Sequence, residues 1–152
     1  MIGMPTASRS LAAALVLLAA SISCAKKADP IQATLDAVVK AANARDADAL
    51  LERVAPNFEA ADGARRADVE ARLKGYFAAY EILNVQVSDV QIERGESAAR
   101  VRMRAEMTGQ PRAVGGIGGL LPSAATYDFD LRLVLDGKVW KLAWAGWEPV
   151  GS

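Results

Sequence analysis

The stretch Leu83-Asn84-Val85-Gln86-Val87-Ser88-Asp89-Val90-Gln91-Ile92 decides the fold. Its apolar residues recur at every second position, the period of a strand whose side chains alternate between two faces. Leu83, Val85 and Val87 share one parity, whereas Val90 and Ile92 have the other. A strand cannot change faces without an extra residue, so the pattern predicts a β-bulge at Ser88-Asp89. The residues that follow support this reading. A turn at Gly95-Glu96 pairs Ile92 with Ala99 and Val90 with Val101. Ser88 and Asp89 then oppose Arg102, while Val87, Val85 and Leu83 meet Met103, Ala105 and Met107. One inserted residue brings all these apolar side chains to one face.

A second hairpin follows, signalled by Asp136-Gly137. It pairs Leu133 with Trp140, Leu131 with Leu142 and Phe129 with Trp144 on one face. Val134 with Val139, Arg132 with Lys141 and Asp130 with Ala143 occupy the other. At least four long strands are therefore expected, apolar on one side and mostly polar on the other.

Upstream the period changes to that of a helix. Asp29 is placed to cap a helix with Pro30 at its first position and Gln32 as the partner of a capping box. Ile31, Leu35, Val38, Val39 and Ala42 form its apolar stripe, and it should end near Arg45. Asp46 caps a shorter helix that directs Leu50, Leu51 and Val54 inward and stops near Pro56. Phe58 to Ala61 read as a short strand closed by Asp62-Gly63. A third helix, about Ala67 to Tyr80, places Val69, Leu73, Tyr76, Phe77 and Tyr80 on one face. Three amphipathic helices before a one-sided sheet must bury their stripes against it, which is an α+β architecture with the helices packed on a curved antiparallel sheet.

This order of elements resembles the NTF2-like superfamily, the cone-shaped, cystatin-like α+β roll that includes SnoaL-like and ketosteroid-isomerase-like proteins. The resemblance rests on Ala44-Arg45-Asp46-Ala47-Asp48-Ala49-Leu50-Leu51 between the first two helices and on the closing Asp136-Gly137-Lys138-Val139-Trp140-Lys141-Leu142. It covers about Pro30 to Trp147. The superfamily mixes enzymes with binding and assembly modules, so the resemblance implies a fold and not an activity.

The N-terminus has a different character. Arg9 is the only charged side chain before Lys26, and the 12 residues from Leu11 to Ile22 are all apolar or small. Such a run is shorter than the roughly 20 residues a membrane-spanning helix needs, and it suits the apolar region of a secretory signal. Ser21-Ile22-Ser23-Cys24 resembles the lipobox of bacterial lipoproteins, in which the cysteine becomes an acylated N-terminus. The expected organisation is a signal peptide over 1–23, a lipidated cysteine and tether over 24–29, and the NTF2-like domain over 30–150. A plainly cleaved signal with Cys24 left as a thiol, and an uncleaved anchor, are the alternatives. Cys24 is the sole cysteine, so no intrachain disulfide can form. Acylation would remove a reactive thiol from an exported protein. Ala25 after the cysteine resembles an outer-membrane address, implying a palmitoylated protein of the cell envelope that faces the periplasm.

Composition narrows the chemistry. The 18 basic and 18 acidic side chains balance, and loss of residues 1–23 removes only Arg9, leaving a net charge of −1. A near-neutral domain with interleaved signs lacks the footprint of a nucleic-acid binder. Histidine is absent, which excludes His-based triads, imidazole metal sites and imidazole proton shuttles. No cofactor motif stands out, because Gly115-Gly116-Ile117-Gly118-Gly119-Leu120-Leu121-Pro122 lacks the Lys-Ser/Thr ending of a phosphate-binding loop. The span from Gln110 to Ala125 instead reads as a long loop with a lid, docking or membrane-touching role, or as an ordinary insertion.

Two functions are compatible with this pattern. In the first, the cone binds a small apolar ligand or an envelope protein partner without catalysis, with Tyr76, Tyr80, Met103, Met107, Phe129 and Trp144 lining the pocket. The bland alternative for these six is plain core packing. In the second, the cone houses a His-free isomerase, dehydratase or hydrolase, which would need an inward carboxylate beside a phenol. Asp128, Asp130 and Glu106 fall on the opposite face in this register, and the first helix contains no Tyr to fill the role that ketosteroid isomerases give it. Arg100, Arg102 and Arg104 form an outward stripe, read either as an anion surface or as cross-strand partners of Asp89, Asp128 and Asp130. Homodimerisation through the outer sheet face, burying Trp147, Val134 and Val139, is a further option. The anchor is the most direct of these to test. Replacing Cys24→Ser should release the protein from the membrane fraction and abolish incorporation of labelled palmitate; retention of both would overturn lipidation.

Overall fold

The computed structural model describes residues 28–112 and 121–151. Cys24, and Gly115 to Leu120 of the glycine-rich segment, lie outside these described residues. The elements are α1 (Pro30–Ala44), α2 (Ala47–Leu51), β1 (Val54–Ala60), α3 (Arg66–Ala79), β2 (Tyr80–Arg94), β3 (Ala98–Pro111), β4 (Ala124–Asp136) and β5 (Val139–Pro149). The strands form one curled sheet in the order β1-β5-β4-β3-β2. The four long strands are antiparallel, as expected, and β1 adds itself parallel to β5, so the sheet is mixed.

Local capping explains where the helices start. The Asp29 side chain accepts a hydrogen bond from the Ile31 N–H and Pro30 occupies the first turn, so the predicted start of α1 holds. The reciprocal half of the capping box does not form, because the Gln32 amide donates to Asp36 one turn ahead. At the other end Arg45 turns left-handed, and its N–H bonds back to Ala41 and Ala42. Asp46 caps α2 through the Ala49 N–H. The third helix stops at Ala79, one residue sooner than its pattern suggests, and Tyr80 opens β2 in an extended conformation.

The predicted bulge in β2 is present, displaced by one residue. Ser88 pairs with Arg104 and Gln91 with Arg102, so Asp89 and Val90 together oppose Met103. Asp89 adopts a φ of 53°, a left-handed conformation that Asp tolerates better than most side chains. Val87 and Val90 therefore both face the α1 side, where they line one groove with Val39.

Both hairpin registers are shifted by two from the expected pairing. Ile92 meets Val101 instead of Ala99, because the first connection is longer and the Gly95 N–H bonds to the Ala98 carbonyl. Leu133 meets Leu142 instead of Trp140, because the turn centres on Gly137-Lys138, not on Asp136-Gly137. Gly137 carries the positive φ of 63° that the first central position of such a turn requires. A shift of two leaves every side chain on its original face, so the predicted core survives the wrong pairing. Val101, Leu131 and Leu133 are buried with Ile31, Leu35, Leu51 and Phe77 between sheet and helices.

One displacement does change faces. Between Leu133↔Leu142 and Arg132↔Trp144, β5 gains an extra residue, Ala143. Upstream, Trp140 and Leu142 face the core; downstream, Ala145 and Trp147 inherit that side.

Three polar contacts fasten α1 to this sheet. Buried Thr34 donates to the Trp140 carbonyl at 2.7 Å. Arg45 donates to the Tyr80 carbonyl at 2.7 Å. Asn43 accepts from the Val85 N–H at 2.5 Å and donates to the Val85 carbonyl at 3.2 Å. Because β2 is an edge strand, the Asn43 amide stands in for a missing neighbour and blocks the edge. Asn43→Ala should therefore cost about 1–2 kcal/mol by chemical denaturation, the penalty of leaving such groups without partners. Hydrogen exchange should show lost protection at Val85, with Val101 unaffected.

Candidate functional site

The odd-numbered residues of β3 and β4 project toward the helices, and α3 packs beside them on β1, α2 and β2. Met103, Met107 and Phe129 are half-buried there and pack against the core, as does Leu121. Tyr127 and Phe129 have ring centres 6.2 Å apart, and Phe129 and Trp147 also lie at 6.2 Å. Trp147 sits directly across from Phe129 in the sheet. From the helix side Tyr76 stacks on Tyr80 with ring centres 4.8 Å apart. Burial pushes the Tyr76 phenol well above its ordinary value, helped by hydrogen bonding to Tyr80 and by the nearness of Tyr127. Tyr76 is thus a neutral hydrogen-bonding group in an apolar setting.

Of the six predicted lining residues, Tyr76, Met103, Met107 and Phe129 are partly buried and packed against the core. Tyr80 is 1% exposed and its role differs. Its hydroxyl donates to the Pro122 carbonyl at 2.7 Å. Its ring lies so close to Gly109 that a Cβ there would sit 2.7 Å from it. With the Gly109 N–H bonded to Ser123 and the Arg112 N–H to Ala79, Tyr80 ties together the two feet of the connection between β3 and β4. Tyr80 thus braces that connection.

Trp144 is the clear misplacement. The extra residue at Ala143 turns it to the outer face, where the Arg132 guanidinium lies 4.8 Å from its ring centre and Gly146 makes room beneath it. Trp147, expected on the outer face with Val134 and Val139, takes the place by Phe129. The signal was present in the sequence: Trp140 and Leu142 are even, Ala145 and Trp147 odd, the same parity change that reveals the bulge in β2.

The acids are where the sequence placed them. Asp130 receives two hydrogen bonds from Arg100, at 2.9 and 2.6 Å, and Asp128 two from Arg104, at 2.8 and 3.0 Å. Arg102 pairs with Glu93 at 2.7 Å in place of Asp89. Arg104 and Asp128, with Arg102 and Asp130, line an open groove of about 550 Å³ that runs from Asp89 to Trp144 and also touches Met103, Phe129 and Trp147. Glu106 is likewise exposed. Among the described residues the one buried polar side chain is Thr34, so no carboxylate shares the interior with the phenols. Among the same residues no trio of His, Cys, Asp or Glu is arranged to hold a metal ion.

Comparison with known proteins places this geometry. No family model matches the chain, and no curated protein does. Solved structures do. A proposed scytalone dehydratase from Novosphingobium aromaticivorans superposes with a TM-score of 0.70 at 14% identity, covering 80% of this chain and 83% of that one. A proposed dehydratase of the NTF2-like family from Streptomyces avermitilis gives 0.68 at 14% identity, over 81% and 96%. A protein of unknown function with a cystatin-like fold from Nostoc punctiforme gives 0.63 at 9% identity, over 81% and 90%. At such identities the likeness concerns the fold.

The outer ion pairs carry a pH signature. The hydrogen bonds from Arg104 and Arg100 hold the Asp128 and Asp130 carboxyls below their ordinary value of 3.8. A depressed folded-state value stabilises the protein above the ordinary value, and that contribution is lost as pH falls through the lower one. Urea midpoints should accordingly fall below pH 3.8. The double variant Asp128→Asn with Asp130→Asn should show a shallower fall, with only a small change at neutral pH because both pairs are exposed.

Proposed function

We propose, from the premise that this chain has the NTF2-like fold, that it is a lipid-anchored envelope protein whose cone binds a small apolar ligand without transforming it. The observation that carries the reading is the composition of the helix-facing side of the sheet, whose end by the start of β2 is the proposed mouth: Tyr127, Phe129 and Trp147 are ring neighbours and Tyr76, Met103 and Met107 pack on the core, while Asp128 and Asp130 point outward and are held by arginines. Aromatic rings and thioethers supply an adaptable apolar wall. Tyr76 and Tyr127 add hydroxyls that can orient a ligand bearing a carbonyl or hydroxyl group. Two of the structural neighbours are named as dehydratases, and such a reaction needs a base within hydrogen-bond reach of the proton it removes. The chain has no histidine. Tyr76, kept protonated by burial, can donate a hydrogen bond but is a poor base at neutral pH. The anchor belongs to the same reading, supported by the Ser21 to Cys24 motif and by the absence of another cysteine.

Nile red, a neutral dye that brightens in apolar surroundings, provides a direct test. It should bind the domain saturably, and Trp147→Ala should weaken binding about tenfold, the loss of roughly 1.4 kcal/mol expected when one aromatic wall is removed. Trp144→Ala, on the outer face, should leave dye binding unchanged. An equal loss in both variants, or saturable binding in neither variant nor parent, would overturn the pocket.

A further inference from the structure

The position of α1 fixes which end of the domain is tethered. Asp29 is ion-paired with Arg94, the last residue of β2, and Thr34 bonds to Trp140 next to the second hairpin turn. Asn43 and Arg45, at the other end of α1, reach Val85 and Tyr80. The chain therefore enters the domain at the end formed by the two hairpin tips, Gly95 to Ala98 and Gly137-Lys138. The mouth with Tyr76, Tyr127 and Trp147 lies at the opposite end, where β2 begins and β5 finishes.

We infer that the hairpin tips rest on the lipid surface and that the aromatic mouth points away from it. This rests on the proposed acylation of Cys24. From Cys24 to Ala28 there are four Cα steps, so the tether spans at most about 15 Å. Along β5 the distance from Lys138 to Glu148 is about 33 Å. A tether that short keeps the entry end near the bilayer and cannot bring the far end down to it while the sheet stands upright. The chemistry of the tips suits that neighbour. Leu135 and Val139 are each 39% exposed beside the turn. Lys141 is paired with Asp136 and Arg94 with Asp29, which among the described residues of the tips leaves Lys138 to face anionic headgroups. Glu96 on the neighbouring tip carries the opposite sign, so apolar contact and the tether provide most of the contact. A mouth held away from the bilayer would take its ligand from the aqueous phase.

Acylation leaves no free thiol, so one introduced cysteine gives a unique labelling site. Lipidated protein bearing Lys138→Cys or Glu148→Cys would be labelled with a fluorophore and placed in phosphatidylethanolamine–phosphatidylglycerol vesicles that carry a quencher on the headgroup. The label at position 138 should be quenched several-fold more strongly than the label at 148. Equal quenching, as in a domain lying on its side, or stronger quenching at 148, would overturn the orientation while the lipid mass on Cys24 still supported the anchor. Mass spectra showing Cys24 without lipid, and itself labelled, would instead sink the anchor and the orientation with it.

Discussion

An extra residue in a long strand has to go somewhere, and in this protein it goes into a left-handed Asp89. That one departure lets β2 keep Leu83, Val85, Val90 and Ile92 on a single side along its 15 residues, although the sequence switches parity midway. Bulges also increase twist and bend the strand that carries them. The second extra residue, Ala143, does the same for β5 on the opposite flank of the sheet. These two irregularities, and a further register shift between Tyr80 and Ile82 at the start of β2, lie on either side of the central pair β3 and β4, whose register runs unbroken from Ala98↔Val134 to Thr108↔Ala124. The sheet thus has a regular centre and two bent flanks, and the helices fill the hollow this makes.

The polar contacts at the edges keep that hollow in one form. Asn43 satisfies the outward groups of Val85 and closes the β2 edge to other chains. Tyr80 links β2, the end of β3 and the start of β4 through one hydroxyl and one ring face. These contacts are few, but each occupies a point where a backbone group would otherwise be left without a partner.

The two sides of the sheet then divide the chemistry. Toward the helices stand rings, thioethers and phenols; on the outside, guanidinium and carboxylate groups neutralise one another in pairs. An ionised acid inside would have to be desolvated without a counter-charge, at a cost of several kcal/mol. The outward placement of Asp128 and Asp130 beside Arg104 and Arg100 avoids that cost. It also leaves the helix-facing side of the sheet apolar.

Much of this was legible in the residues. Periodicity identified helices and strands, Asp29 and Asp46 marked two helix starts, and the parity switch at Val87 and Val90 announced the bulge. Face assignments were robust because a period of two is indifferent to a shift of two, so even the wrong pairings put Val101, Leu131 and Leu133 in the core. The same logic explains the failures. Turn length set the true register, and it depended on the Gly95–Ala98 bond and on Gly137, not Asp136, leading its turn. The extra residue at Ala143 exchanged Trp144 for Trp147 at the mouth, and a one-residue insertion reverses every face beyond it. The burial of Tyr80 depended on Gly109 and Pro122, far along the chain. Which side of a strand a residue favours is written in its neighbours at i±2; which residue finally stands opposite is decided by contacts that exist only once the sheet has closed on its helices.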